Sequence, residues 1–61
     1  MAIQFFEDQG TYTGTGPGGR RWRISRVFTG WKLEFLDNGD MTPTYAGVFR
    51  SVEAAQAEAA R

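Results

Sequence analysis

RRWRISRVFTGWKLEFLD, Arg20 to Asp37, carries two alternating runs on either side of a Thr-Gly step. In an extended chain, successive side chains leave opposite faces, so period-two alternation marks a strand with one buried side. Arg20, Trp22, Ile24, Arg26 and Phe28 share one parity, and Arg21, Arg23, Ser25 and Val27 share the other. Beyond Thr29 and Gly30, the residues Trp31, Leu33 and Phe35 alternate with Lys32, Glu34 and Leu36. Two such runs joined by so short a link predict an antiparallel hairpin. Matching the apolar sets puts Trp22, Ile24, Leu33 and Phe35 on the covered face. Arg21, Arg23, Ser25, Lys32, Glu34 and Leu36 are left on the bare one.

Downstream, DNGD (Asp37 to Asp40) contains Asn-Gly, the dipeptide that supplies the two positive φ angles of a type I′ turn. A third strand is expected through TPTYAGVF, Thr42 to Phe49, with Pro43 tolerated only near its start or on an edge. Ser51 then has the chemistry of a helix N-cap, and Glu53 suits the positive end of the helix dipole. In VEAAQAEAAR, the residues Val52, Ala55 and Ala59 fall on one narrow stripe of small side chains, which allows close packing on a sheet. The expected fold class is α+β: a three-stranded antiparallel meander packed against one C-terminal α-helix, residues 20–61. Residues 1–19 read as an N-terminal segment in which Ile3 and Phe5 form a possible edge strand, followed by the connector GTGPGG, Gly14 to Gly19.

Composition narrows the function classes. Sixty-one residues make one small domain, with too little interior for both a core and a deep cleft. A flat binding surface is the better expectation, and an enzyme is not. No cysteine and no histidine occur, which removes thiolate ligands, the commonest metal ligand and the commonest general base. No cofactor or metal is expected. Gly14, Gly16 and Gly19 spell G-x-G-x-x-G, but the dinucleotide fingerprint needs a strand before it and a helix after it. The acidic DNGD turn lacks the glycine and glutamate spacing of an EF-hand. No apolar run approaches the ~20 residues of a membrane span. Met1 to Gly19 has no basic start and apolar middle of a signal peptide, so a cytoplasmic protein is expected.

Net charge is zero, yet five of the seven basic residues (Arg20, Arg21, Arg23, Arg26 and Lys32) fall between positions 20 and 32, without an acidic residue among them. That cluster is either a solvated face or a binding patch. GWKLEFLD carries Trp31, Glu34 and Asp37, with Phe35 between them. TYAGVFRSVEAAQ carries Gly47, Phe49, Glu53 and Ala55, with Tyr45 and Ser51. Together these resemble the AP2/ERF DNA-binding domain and its relatives in phage integrases and homing endonucleases, in which Tyr45 takes a tryptophan position and Ser51 a threonine position. The resemblance covers Gly30 to Arg61. It implies a sheet that enters the major groove, with Glu34 and Tyr45 at positions used on DNA and Arg20, Arg21 and Arg23 similar to a basic first strand. Leu36 and Pro43 stand where the family carries basic residues. The junction GVFRSVEAA is also similar to that of SPOR peptidoglycan-binding domains.

Two readings of function follow. In the first, Arg20, Arg21, Arg23, Arg26, Lys32, Glu34 and Tyr45 bind double-stranded DNA from the bare sheet face, as in a phage or bacterial recombination accessory or regulator. In the second, the same arginine and aromatic surface binds a protein partner, since Trp, Tyr and Arg also dominate protein interfaces. The DNA reading depends on guanidinium groups that project from the bare face and are free of carboxylates.

Overall fold

The computed structural model describes residues 3–61, so the first two positions of the expected N-terminal segment lie outside the described residues. Five strands and one helix follow in order: β1 (Phe5–Asp8), β2 (Thr11–Thr15), β3 (Arg21–Val27), β4 (Gly30–Leu36), β5 (Thr44–Phe49) and α1 (Val52–Ala59). The strands form a single sheet in the order β1-β2-β3-β4-β5, each antiparallel to its neighbours. The expectation of three strands is therefore corrected to five. The α+β class and the meander order hold.

The two added strands come from the stretch expected to be an edge strand and a connector. Gln9 (φ 54°) and Gly10 (φ 83°) both take positive φ in the two-residue link between β1 and β2. That is the backbone signature of a tight hairpin turn whose twist matches its strands. The Gly10 amide donates to a Glu7 carboxylate oxygen at 2.7 Å, closing the turn. Gly14 is a packing residue, buried where β2 passes beneath the chain leading into β1. A Cβ there would lie 2.7 Å from the Gln4 carbonyl oxygen and 3.0 Å from Ile3 Cγ2. Only the last part of the glycine-rich stretch, a 3-10 turn at Pro17–Gly19, works as a connector.

The central hairpin turns at Phe28 and Thr29, one residue before the expected Thr-Gly step, which sets Trp22 opposite Phe35, Ile24 opposite Leu33 and Arg23 opposite Glu34. Ile24 and Leu33 are fully buried under α1, together with Ala55 and Ala59. Val52, Trp22, Trp31, Phe49, Tyr12, Phe5 and Ile3 pack around this nucleus. The alanine stripe thus faces the sheet as its spacing predicts. Ser51 Oγ accepts from the Ala54 amide at 3.1 Å, and Glu53 lies in the first turn. Eight helical residues span about 12 Å, less than the width of five strands. The helix accordingly rests on β3, β4 and β5. Aromatic side chains extend the core beyond it, Tyr12 meeting Trp31 edge-on at 5.9 Å between ring centroids.

The link from β4 to β5 differs from the expected type I′ turn. The Asp40 amide donates to the Asp37 carbonyl at 3.0 Å, and of the central pair only Gly39 has positive φ. Pro43 has no amide hydrogen for the ladder, so β5 begins at Thr44 rather than Thr42. A register shift opposite Leu33 and Glu34 leaves Ala46 as an extra residue in β5, the pattern of a β-bulge on an edge strand.

Candidate functional site

With α1 on one side, the other face of the sheet is bare. The ladder brings one residue from every strand into a single cross-strand row: Phe6, Thr13, Arg23, Glu34 and Tyr45. Neighbouring strands lie about 4.8 Å apart, so the row is about 19 Å long. An exposed aromatic closes each end, Phe6 and Tyr45 each retaining 64% of their surface in solvent. Beside it runs a second row of Thr15, Arg21 and Leu36. On the other side stand Ser25, Lys32 and Val48. A shallow hollow of about 610 Å³ crosses the first two rows, lined by Phe6, Thr13, Arg21, Arg23, Glu34 and Leu36 among others, with Pro43 at its margin.

The seven residues expected at the site divide between the two sides of the sheet. Arg21, Arg23, Lys32, Glu34 and Tyr45 share the bare face. Arg20 does not. Its Nε donates to Asp37 Oδ1 at 2.6 Å and its Nη2 to Asp37 Oδ2 at 3.1 Å, a two-pronged pair. Its guanidinium lies 3.9 Å from the centroid of the Phe35 ring and 5.7 Å from that of Trp22. The hydrogen bond from Arg20 holds the Asp37 carboxyl below its ordinary range, against the partial desolvation that would raise it. Arg20 is thus a clamp on the hairpin end rather than a group on offer to a ligand. Arg26 also lies on the helix side, opposite Trp31 in the ladder and 5.2 Å from that ring's centroid. Both departures follow from strand parity, since Arg20 and Arg26 alternate in step with Trp22 and Ile24.

On the bare face the charges are partly matched. Glu34 accepts from Arg23 Nη2 at 3.2 Å, and Lys32 Nζ lies 3.7 Å from its other oxygen. The carboxylate is well covered, its side chain only 14% exposed, whereas the Arg23 side chain remains 54% exposed. Arg21 is exposed and has no carboxylate within 4.0 Å among the described residues.

Leu36 lies on this surface as its parity predicts, and Phe6 and the two threonines belong to it although nothing in the basic cluster points to them. The signal that identifies Phe6 is local: in FFEDQGTYT, an x-Gly pair flanked by alternating residues marks a hairpin, and Phe6 then takes the parity opposite to Phe5. Phe5 packs on the core and Phe6 faces solvent. Glu34 and Tyr45 face each other in the ladder, while Trp31, Gly47 and Phe49 lie where β4 meets β5 and α1. Much of the shared pattern is therefore explained by packing. Among the described residues, no helix is long and apolar enough to cross a membrane. No protein-family model matches the chain, and no curated protein and no solved structure does so.

Proposed function

We propose that this protein is a binding module whose bare sheet face docks a segment of a protein partner. The observation that carries the reading is the row from Phe6 to Tyr45, in which two exposed aromatic side chains bracket an already matched Arg23–Glu34 pair. Exposed aromatics beside arginine are the residue types that anchor protein interfaces.

The alternative ligand, duplex DNA, draws its affinity from unpaired cations against phosphate. Of the five basic residues in the cluster, Arg20 is bound to Asp37, Arg26 stands on the helix side, and Arg23 and Lys32 share Glu34. That leaves a face with too little free positive charge for tight polyanion binding, in a chain of zero net charge. The geometry favours a polypeptide.

The test is to select binders from a displayed library of random dodecapeptides and to map them on isotope-labelled protein by amide shifts. Selected peptides should move Thr13, Arg23, Glu34 and Tyr45, and the paired change Phe6→Ala with Tyr45→Ala should abolish binding without unfolding the protein. A salt-sensitive shift of those same amides by a random duplex, with no peptide selected onto this face, would overturn the proposal in favour of nucleic acid.

A further inference from the structure

We infer that the segment docked on this face is acidic: an extended stretch of about six residues that places a carboxylate between Arg21 and Arg23 and an apolar side chain over Leu36 or Phe6. The inference rests on the docking proposed above and specifies the chemistry of its occupant. Arg21, Arg23 and Lys32 stand around one carboxylate, Glu34, so three positive charges meet one negative charge. The other carboxylate of this face, Asp8, lies at its outer corner beside the turn at Gln9. Glu34 already serves two cations, and Arg21 has none of its oxygen. The hollow lacks the second carboxylate that its charges would accommodate.

Position favours an incoming acid over a bare anion. Arg21 and Arg23 are two residues apart on β3, hence about 6.6 Å apart along the strand, and their side chains leave the same face. A guanidinium offers five N–H donors in a planar fork, and Arg23 commits one to Glu34. An Asp or Glu seated between the two can accept from both, in the charge-assisted geometry that makes such bonds short. Leu36 lies directly opposite Arg21 in the ladder, and Phe6 ends the row of Arg23. Apolar contact is thus available one strand spacing from Arg21, at Leu36, and two from Arg23, at Phe6. The row from Phe6 to Tyr45 is about 19 Å long, which an extended chain rising about 3.3 Å per residue covers with about six residues.

Synthetic octapeptides test this directly. Each carries one Phe or Leu and from zero to three residues of Asp or Lys at varied spacing, and binding is read by fluorescence anisotropy at low and moderate salt. Acidic peptides should bind best, and Arg21→Gln should weaken them by roughly 3- to 10-fold, the range of one charge-assisted hydrogen bond at a partly exposed site. The thermal midpoint of that variant should stay in place. Equal binding of neutral or basic peptides on the same amides, indifferent to Arg21→Gln, would overturn the acidic preference while leaving the docking face intact. Loss of all peptide binding to the row would instead refute the docking face itself. Displacement of the acidic peptides by a random duplex at lower concentration than by free peptide would assign the anion subsite to a polynucleotide and overturn the inference.

Discussion

Replacing Gly14 by alanine tests whether the N-terminal chain is truly built into the sheet. The added Cβ would lie 2.7 Å from the Gln4 carbonyl oxygen, 3.0 Å from Ile3 Cγ2 and 3.2 Å from Phe5 Cδ1. The nearest of these is backbone, which cannot rotate aside. Restoring ordinary contact at 3.4 Å requires the crossing segment to retreat by about 0.7 Å. Ile3 would then rise from the core cluster against which it packs. Overpacking of this kind costs about 1–3 kcal/mol. At roughly 0.05–0.15 kcal/mol per residue the whole domain has only about 3–9 kcal/mol of stability. For a chain of this length 1 kcal/mol moves the melting midpoint by about 4–8 °C, so a cost of about 2 kcal/mol lowers it by about 8–16 °C.

Calorimetry or circular dichroism on Gly14→Ala measures that shift, and amide exchange locates it. Protection should fall first at Phe5 to Asp8 and last in β3 and β4. Gly16→Ala is the matched comparison, because its Cβ would meet only side-chain atoms, Ile3 Cδ1 and Trp22 Nε1, each at 3.1 Å. Side-chain ends can yield, so the loss there should be the smaller. A midpoint for Gly14→Ala within about 2 °C of the parent, or a larger loss at Gly16 than at Gly14, would refute the crossing of residues 3 and 4 over β2. In a domain of three strands with a loose leader, Gly14 would tolerate alanine at no cost.

Four further outcomes are expected. Leu33→Ala removes a fully buried side chain at the centre of the core and should cost about 2–5 kcal/mol, a large part of the whole, which urea titration would read as a midpoint shift or outright unfolding. Ser51→Ala removes the cap on the Ala54 amide and should cost about 1 kcal/mol, measurable by the same titration. Arg21→Gln with Arg23→Gln should leave the melting midpoint within about 3 °C, since exposed pairs contribute little; a larger fall would make these side chains structural. Asp37 has its folded pKa lowered by the hydrogen bond from Arg20, so its contribution is complete above the ordinary aspartate value of about 4 and is lost as pH falls through the lower folded value. Asp37→Asn should therefore melt below the parent at pH 7, with the gap closing as both are acidified toward pH 2.

The central hairpin and helix were legible because burial there is one-sided and leaves its mark as periodicity. Trp22, Ile24, Leu33 and Phe35 alternate without interruption, and Ser51 has one chemical use before an alanine-rich run. β1 and β2 escape the same reading because each is short and carries one large apolar side chain on its covered face, Phe5 and Tyr12, with Gly14 at the next covered position of β2. Gly14 is buried with no side chain to register on an apolar count, and Ile3 reaches the core from outside any strand. A packing glycine and a connector glycine are the same letter. What separates them is the approach of another backbone, which only the fold supplies. The site was legible in parity and illegible in pairing. Alternation alone puts Arg21 and Arg23 on the face opposite Trp22, and Arg20 and Arg26 beside it. That Asp37 closes on Arg20, and that Glu34 stands between Arg23 and Lys32, depends on register between strands.

The same economy explains why one face of the sheet is bare. One helix of eight residues can shield only one side of the central strands. A bare sheet face in water is ordinarily kept wholly polar, as Thr13, Thr15 and Ser25 keep much of this one. Phe6 on β1, Leu36 on β4, and Tyr45 and Val48 on β5 break that rule. Their placement serves neither core nor turn, for the core closes on the opposite side with Ile24 and Leu33. The β-bulge at Ala46 makes β5 a poor edge for adding another strand in register. A partner on that side would therefore meet side chains across the strands rather than backbone along the β5 edge.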